Sequence, residues 1–121
     1  MHKKNSLKSH RRAVRSGLRQ GVGPGDTTVD WERAGTLAVL PIGAQEQHGP
    51  HLPLDSDTRM AGFFAERLAR ALSAALLPVL PIGQSYEQSG SRGTLSFHPE
   101  TVLAMVRDLV DELERQGFTR L

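Results

Sequence analysis

The chain has 121 residues, of which 38% are hydrophobic and 5% aromatic, and it contains no cysteine. This length allows one small domain and excludes a second core, and the lack of cysteine excludes disulfides, thiolate metal sites and a cysteine nucleophile. The formal net charge of +2 conceals a division, because residues 1–19 carry seven Lys or Arg and no acid, while all thirteen acids lie further on. Any metal must therefore be bound by His, Asp and Glu, and the body of the chain is acidic.

The basic N-terminus, residues 1–30, is predicted to be a disordered leader. It joins the Lys/Arg run to the glycine-rich segment Gly21-Val22-Gly23-Pro24-Gly25, and its apolar residues are too sparse to form a core. A nucleic-acid-binding arm and an organellar transit sequence share this composition. No aromatic residue is present among the charges to stack on bases, so a solvated tail is favoured over nucleic-acid binding.

The apolar runs of the chain are all short. None approaches the ~18–20 residues that a membrane span needs, and the basic N-terminus lacks the continuous apolar stretch of a signal peptide. We therefore expect a cytoplasmic protein with no membrane partner.

Residues 31–121 show the pattern strand, loop, helix twice in succession. Thr36–Ile42 and Leu76–Ile82 are apolar runs closed by Gly43 and Gly83, which is typical of buried parallel strands. Val39–Gly43 and Val79–Gly83 have the same sequence, Val-Leu-Pro-Ile-Gly. The alternation predicts an α/β fold in which a parallel sheet is connected by right-handed crossovers.

Two amphipathic helices are predicted between and after these strands. The first covers Asp57–Ala74, and the second begins at Pro99 and is capped by Gly117. Phe118–Leu121 has the composition of the start of a further strand. Apolar residues spaced three and four apart give the first helix one stripe, formed by Met60, Phe63, Phe64, Leu68 and Leu72.

Ionisable side chains are concentrated in the loop after Gly43, where the carboxyl end of a strand should place a ligand site. Taken singly, Asp57 is explained as a helix N-cap, Glu46 as a solvated acid and His51 as a surface imidazole. Glu46 and His48 are two residues apart, so they project to the same side of an extended segment. Gly49, Pro50 and Pro53 bend the chain, which can return Asp57 towards these two, and the resulting two oxygens and one nitrogen suit Zn²⁺, Mn²⁺ or another divalent metal. The ionisable residues of the loop are Glu46, His48, His51, Asp55 and Asp57.

The segment from Leu40 to Asp57, Leu-Pro-Ile-Gly-Ala-Gln-Glu-Gln-His-Gly-Pro-His-Leu-Pro-Leu-Asp-Ser-Asp, closely resembles the opening motif of the creatininase (creatinine amidohydrolase) family. Three later segments resemble the next landmarks of that family in the same order. They are Pro81–Ser85, Gly93–Ser96 and Gly117-Phe118. The resemblance covers about residues 36–121 and implies a layered, parallel-sheet creatininase-like fold in a domain of residues 31–121.

The resemblance also implies a function. In this family a binuclear metal centre hydrolyses a cyclic or linear amide C–N bond of a small substrate. The Glu and His of the motif bind one metal each and the closing Asp bridges both, which corresponds to Glu46, His48 and Asp57. Two divalent ions, Zn²⁺ or Mn²⁺, would then activate a shared water. Creatinine ring opening, deformylation and clipping of a precursor peptide all occur in the family, and its members are commonly homo-oligomers.

Two departures from the family pattern shape the remaining expectations. Members often carry a His after the Glu of the second loop, where this chain has Glu87-Gln88, and the Asn-Gly-His motif that follows a third strand is absent. The sequence is therefore expected to stop after the second βα unit, before the site is complete. The alternatives to an active hydrolase are a truncated, catalytically inactive fragment and, less favoured, a nucleic-acid-binding protein that uses the basic tail.

Overall fold

A computed structural model describes residues 21–121 of the chain. Most of the expected basic leader, and with it every Lys and Arg of residues 1–19, lies outside the described residues. Residues 21–30, however, pack against the rest of the chain: the Leu76 amide donates to the Val22 carbonyl at 2.7 Å, and Val22 packs against the core. This differs from the expectation of a single leader up to residue 30.

A short helix, α1 (Thr28–Trp31), follows this segment. Thr27 and Asp30 form a capping box, in which each side chain bonds to the backbone of the other residue. The Trp31 indole Nε1 donates to the Gly23 carbonyl at 2.9 Å, and its ring meets Phe118 edge to face. Trp31 therefore attaches residues 21–30 to the core, which explains why these residues are part of the fold.

The sheet is parallel, as predicted. Strand β1 (Ala38–Val39) pairs with β2 (Ala75–Leu76), with Ala38 opposite Ala75. On the other edge of β1, Leu37 forms a parallel bridge with Arg120, which confirms the predicted strand-like start near the C-terminus. Within residues 21–121, β1 is thus the central strand.

Prolines shorten the regular strands relative to the predicted runs. Pro41, Pro78 and Pro81 cannot donate a backbone hydrogen bond. Backbone pairing nevertheless continues to the strand ends, where the Leu80 amide donates to the Pro41 carbonyl at 3.0 Å and the Gly43 amide to the Leu80 carbonyl at 2.8 Å. The path from Val39 to Ile42 runs beside a path from Leu76 to Leu80 that is one residue longer. The two copies of the repeated motif therefore do not lie in register.

Helix α2 (Ser56–Leu72) packs on the two strands through its small residues. Ala65 and Ala69 are buried, whereas every member of the predicted apolar stripe is about half exposed, including Phe64 and Leu68. The predicted helix is confirmed, but its apolar stripe is not the face that packs on the sheet. Alanine allows the helix backbone to approach the sheet closely, and this leaves the larger side chains at the margin of the contact.

Helix α3 (Pro99–Arg115) begins with proline in its first turn and ends as predicted at Gly117, whose φ is +89°. The Phe118 amide donates to the Leu113 carbonyl and the Gly117 amide to the Glu114 carbonyl, each at 3.0 Å, which is a Schellman motif. Leu113 and Phe118 are buried together with residues of both strands. Each helix within residues 21–121 is too short or too polar to traverse a lipid bilayer.

Candidate metal centre

The loop that leaves β1 is held in place by the second polar loop. Gln45 bridges Leu95 in antiparallel fashion, with the Leu95 amide donating to the Gln45 carbonyl at 2.9 Å. The Gln45 side chain donates to the Gly93 carbonyl at 3.1 Å, and the Gln47 amide donates to the Thr94 hydroxyl at 3.0 Å. The extended backbone of residues 45–47 is therefore fixed from one side, which orients the side chains of its neighbours.

Three of the predicted residues come together: Glu46, His48 and Asp57 place one ligand atom each within 4.8 Å of the others. His48 Nε2 lies 3.4 Å from Asp57 Oδ2, and these side chains are 22% and 35% exposed. The intervening loop turns at Gly49, where φ is +74°, and closes where the Glu46 amide donates to the Leu54 carbonyl at 3.0 Å. The predicted return of Asp57 towards Glu46 and His48 is confirmed.

The hydrogen bonding of His48 prepares its other nitrogen for a ligand. Nδ1 lies 3.0 Å from the Glu46 carbonyl oxygen. This hydrogen bond is the largest cause that raises the pKa of His48 above its usual 6.5; desolvation opposes it, and the charges of Asp57 and Glu46 add to the rise. In the neutral ring, a proton on Nδ1 leaves the Nε2 lone pair free beside Asp57. This arrangement is the usual one for a metal-binding histidine, whose second nitrogen donates to a carbonyl or carboxylate.

The other two ionisable residues of the loop lie outside this group of three. Asp55, rather than Asp57, occupies the N-cap position of α2, and its carboxylate accepts from Arg59 Nε at 2.8 Å instead of capping the helix. Asp57 lies in the first turn, where a carboxylate complements the positive end of the helix dipole. His51 is exposed. The N-cap explanation of Asp57 is therefore wrong.

Several residues around the site were not predicted from the sequence. Gln47 donates through Nε2 to Gln88 Oε1, and its own Oε1 accepts from the Gly49 amide at 3.0 Å. Gln88 lies in the 3₁₀ turn Tyr86–Gln88, so its contact with Gln47 joins the two loops. These contacts span about forty positions, and no local pattern signals such a pair.

The donor set fits a divalent metal. One imidazole nitrogen and two carboxylates are ligands that zinc and manganese accept. Ligand atoms bind one ion at ~2.0–2.2 Å, or two ions that are ~3.5–4 Å apart. Either arrangement is compatible with three ligand atoms that lie within 4.8 Å of one another. Within residues 21–121 this is the group of His, Asp and Glu close enough to share an ion. Glu46, His48 and Asp57 are therefore the candidate ligands.

Comparison with known proteins gives a consistent result. The sequence model of the creatinine amidohydrolase family matches residues 27–121. The chain is 35% identical over 90 residues to creatinine amidohydrolase of Pseudomonas putida, which is 70% of this chain and 35% of that protein. It is 37% identical over 78 residues to the mycofactocin precursor peptide peptidase of Mycobacterium tuberculosis (strain CDC 1551 / Oshkosh), which is 56% of this chain and 31% of that protein.

A solved structure described as creatininase Mn superposes with a TM-score of 0.77 at 31% identity, over 84% of this chain and 43% of that one. The similarity therefore extends to the three-dimensional fold. The chain spans about a third of the length of the curated relatives it matches.

Proposed function

This chain belongs to the creatininase family, and we propose that it contributes Glu46, His48 and Asp57 to a divalent-metal centre that hydrolyses an amide C–N bond. The observation that carries the proposal is the convergence of the three ligand atoms within 4.8 Å. They converge beyond the carboxyl end of β1, which is where open α/β sheets bind their ligands.

Each residue has a distinct role in the proposed centre. Glu46 and His48 would each hold one metal, and Asp57 would hold both, as the family resemblance implies. When bound, a pair of divalent cations makes water a nucleophile near neutral pH and polarises the scissile carbonyl. Glu46 also orients His48, because its carbonyl accepts from Nδ1 and thereby directs Nε2 towards Asp57. The nitrogen and oxygen donors support Zn²⁺ or Mn²⁺, and the likeness to a creatininase described with Mn supports the latter.

The proposed substrate is a small molecule or peptide that contains a hydrolysable amide. One relative is named a creatinine amidohydrolase and the other a precursor peptide peptidase. Both names describe cleavage of a C–N bond, so the reaction class is the same although the substrates differ in size. The partly exposed carboxylate and imidazole leave the centre open to either kind of substrate.

The number of ligands supports one alternative, which is a catalytically inactive form of the protein. A catalytic zinc ion usually has three protein ligands, whereas residues 21–121 offer three grouped side chains for two proposed ions. A polypeptide with these ligands alone would bind metal weakly and would not turn over an amide. Hydrolysis of creatinine or of a short peptide amide by metal-loaded protein distinguishes this inactive form from an active hydrolase.

The metal assignment is tested by titrating the purified protein with Mn²⁺ and following free Mn²⁺ by electron paramagnetic resonance. Glu46→Ala, His48→Ala and Asp57→Ala are each expected to weaken binding by at least ~10-fold. Asp55→Ala and His51→Ala are the matched controls, because they remove the same groups from the same loop outside the group of three. The assignment would be rejected if all five variants bound Mn²⁺ as tightly as the wild type does.

Two further expectations stay predictions. They are the homo-oligomeric state carried over from the family and the cytoplasmic location. The nucleic-acid alternative depends on basic residues that lie outside the described part of the chain, and it predicts salt-sensitive binding that is lost when residues 1–30 are deleted.

A further inference from the structure

We propose that Thr58 is a positioning residue for the metal centre: its hydroxyl attaches the start of α2, and with it Asp57, to the ends of both strands. Thr58 Oγ1 lies 3.0 Å from the Ala44 carbonyl oxygen and 3.3 Å from the Pro81 carbonyl oxygen, so its one proton is shared between the two acceptors in a bifurcated hydrogen bond. Ala44 follows β1 along the chain, and Pro81 follows β2. One side chain therefore connects three segments at the carboxyl edge of the sheet. This inference rests on the proposed function.

Close backbone packing shows that this contact is built into the fold. A Cβ atom on Gly43 would lie 2.4 Å from Thr58 Oγ1 and 2.5 Å from its Cα, so the strand end touches the helix with no room for a side chain. A Cβ atom on Gly83 would in turn lie 2.8 Å from the Gly43 carbonyl oxygen. The two glycines that close the repeated motif are thus the positions where the strands approach each other and the helix.

Asp57 depends on this attachment because it immediately precedes Thr58 in the first turn of α2. The N-cap residue of the helix, Asp55, makes no side-chain bond to the helix backbone, so the usual local support of an N-terminus is missing. If the hydroxyl of Thr58 is lost, the first turn loses its bond to the strand ends, and the Asp57 carboxylate moves relative to His48, 3.4 Å away. Residues that orient metal ligands typically change metal affinity by ~10–100-fold when they are mutated.

The test compares Thr58→Val, which keeps the shape of the side chain, with Thr58→Ser, which keeps the hydroxyl. Thr101→Val, on the exposed surface of α3, is the matched control. Mn²⁺ affinity is measured at a temperature below the unfolding midpoint of every variant. We expect Thr58→Val to weaken binding by at least ~10-fold, and Thr58→Ser and Thr101→Val to stay within ~3-fold of the wild type. If Thr58→Val does not fold, Thr58→Ala takes its place in the same comparison.

A second readout is independent of metal binding. In the metal-free protein, Thr58→Val is expected to shift the backbone amide resonances of Glu46, His48 and Asp57 while those of α3 stay unchanged, and Thr58→Ser to leave both sets in place. Unchanged site resonances together with unchanged Mn²⁺ affinity in Thr58→Val would overturn the inference. If the wild type itself binds no Mn²⁺, the proposed function fails, and the amide shifts still decide whether Thr58 positions Asp57.

Discussion

His48 carries a proton more readily than an isolated histidine, and a metal must compete with that proton for Nε2. The hydrogen bond to the Glu46 carbonyl and the nearby Asp57 and Glu46 carboxylates raise its pKa above 6.5. We therefore expect Mn²⁺ affinity to fall as the pH drops through the raised pKa of His48, by up to tenfold per pH unit below it. Mn²⁺ titrations between about pH 5 and pH 8 measure the effect.

The raised pKa of His48 also affects the stability of the metal-free protein, to which His48 contributes more at low pH, where it is protonated. Because the folded-state pKa of His48 is raised, its protonation stabilises the fold below the ordinary pKa, and this stabilisation is lost as the pH rises through the raised value. Asp57→Asn removes one of the charges responsible, so the pKa of His48 should decrease, as followed by the imidazole proton resonances. Asp55→Asn is the control. An identical His48 titration in the wild type and in Asp57→Asn would contradict the proposed pairing.

Among the elements, the end of β1 and the start of α2 approach each other closely at Gly43, where a Cβ atom would lie 2.5 Å from the Cα of Thr58. Gly43→Ala would place a methyl group against the backbone of Thr58. We expect a loss of unfolding free energy near the upper end of the ~1–3 kcal/mol typical of overpacking, together with weaker Mn²⁺ binding, because Asp57 moves with the helix. Urea denaturation measures the first effect and metal titration the second.

The control for this substitution is Gly35→Ala. A Cβ atom there meets nothing within 4 Å, and the backbone is not in the left-handed region. Alanine at such a position should leave stability unchanged or raise it by less than ~1 kcal/mol. Equal stabilities of the two variants would contradict the close contact between Gly43 and Thr58.

Helix α3 is attached to the sheet mainly at its C-terminal end. Leu113 is 7% exposed and lies in the core cluster, whereas Leu103 on the same helix is 54% exposed. Leu113→Ala should lower the unfolding free energy by ~2–5 kcal/mol, and Leu103→Ala by less than ~0.5 kcal/mol. Because both changes replace leucine by alanine in one helix, helix propensity cancels, and the difference measured by urea denaturation reports burial alone. Similar losses in the two variants would place the core elsewhere.

These elements show which kinds of sequence signal determine structure. Pro99 and Gly117 act through their own backbone preferences, so the limits of α3 are predictable without knowledge of its neighbours. The packing face of α2 is not predictable in this way, because Ala65 and Ala69 pack by allowing close approach rather than by being strongly apolar. An apolar period identifies an amphipathic helix but does not tell which side touches a sheet.

The same distinction applies to the site. Glu46 and His48 are two positions apart in an extended segment, so their common direction follows from local geometry. Asp57 joins them through the turn at Gly49, which the glycine and prolines of the loop indicate. The contact between Gln47 and Gln88, and the bond from Thr58 to Pro81, depend on how the second strand is placed beside the first. Contacts of that kind follow from tertiary structure and carry no periodic signal.

At the scale of the whole molecule, α2 packs on the sheet through Ala65 and Ala69, and its larger apolar side chains stay exposed. They border an apolar groove of about 620 Å³ between α2 and the end of β1. Phe64 and Leu68 lie along it and are 61% and 49% exposed. An exposed apolar surface of this kind favours association in solution. Its lining is formed by Val39, Leu40, Pro41, Ala61, Phe64, Ala65, Arg67, Leu68 and Ala71.

We therefore expect the purified chain to self-associate through this groove. Sedimentation velocity over a range of concentrations should show an increase of average mass with concentration, and Leu68→Lys should shift the distribution towards the monomer because a buried ammonium is costly to desolvate. Leu103→Lys is the matched control, since Leu103 is as exposed as Leu68 but lies on α3. The same distribution for both variants would exclude the groove as the contact. If the wild-type chain stays monomeric at every concentration, the groove faces water and the prediction is wrong.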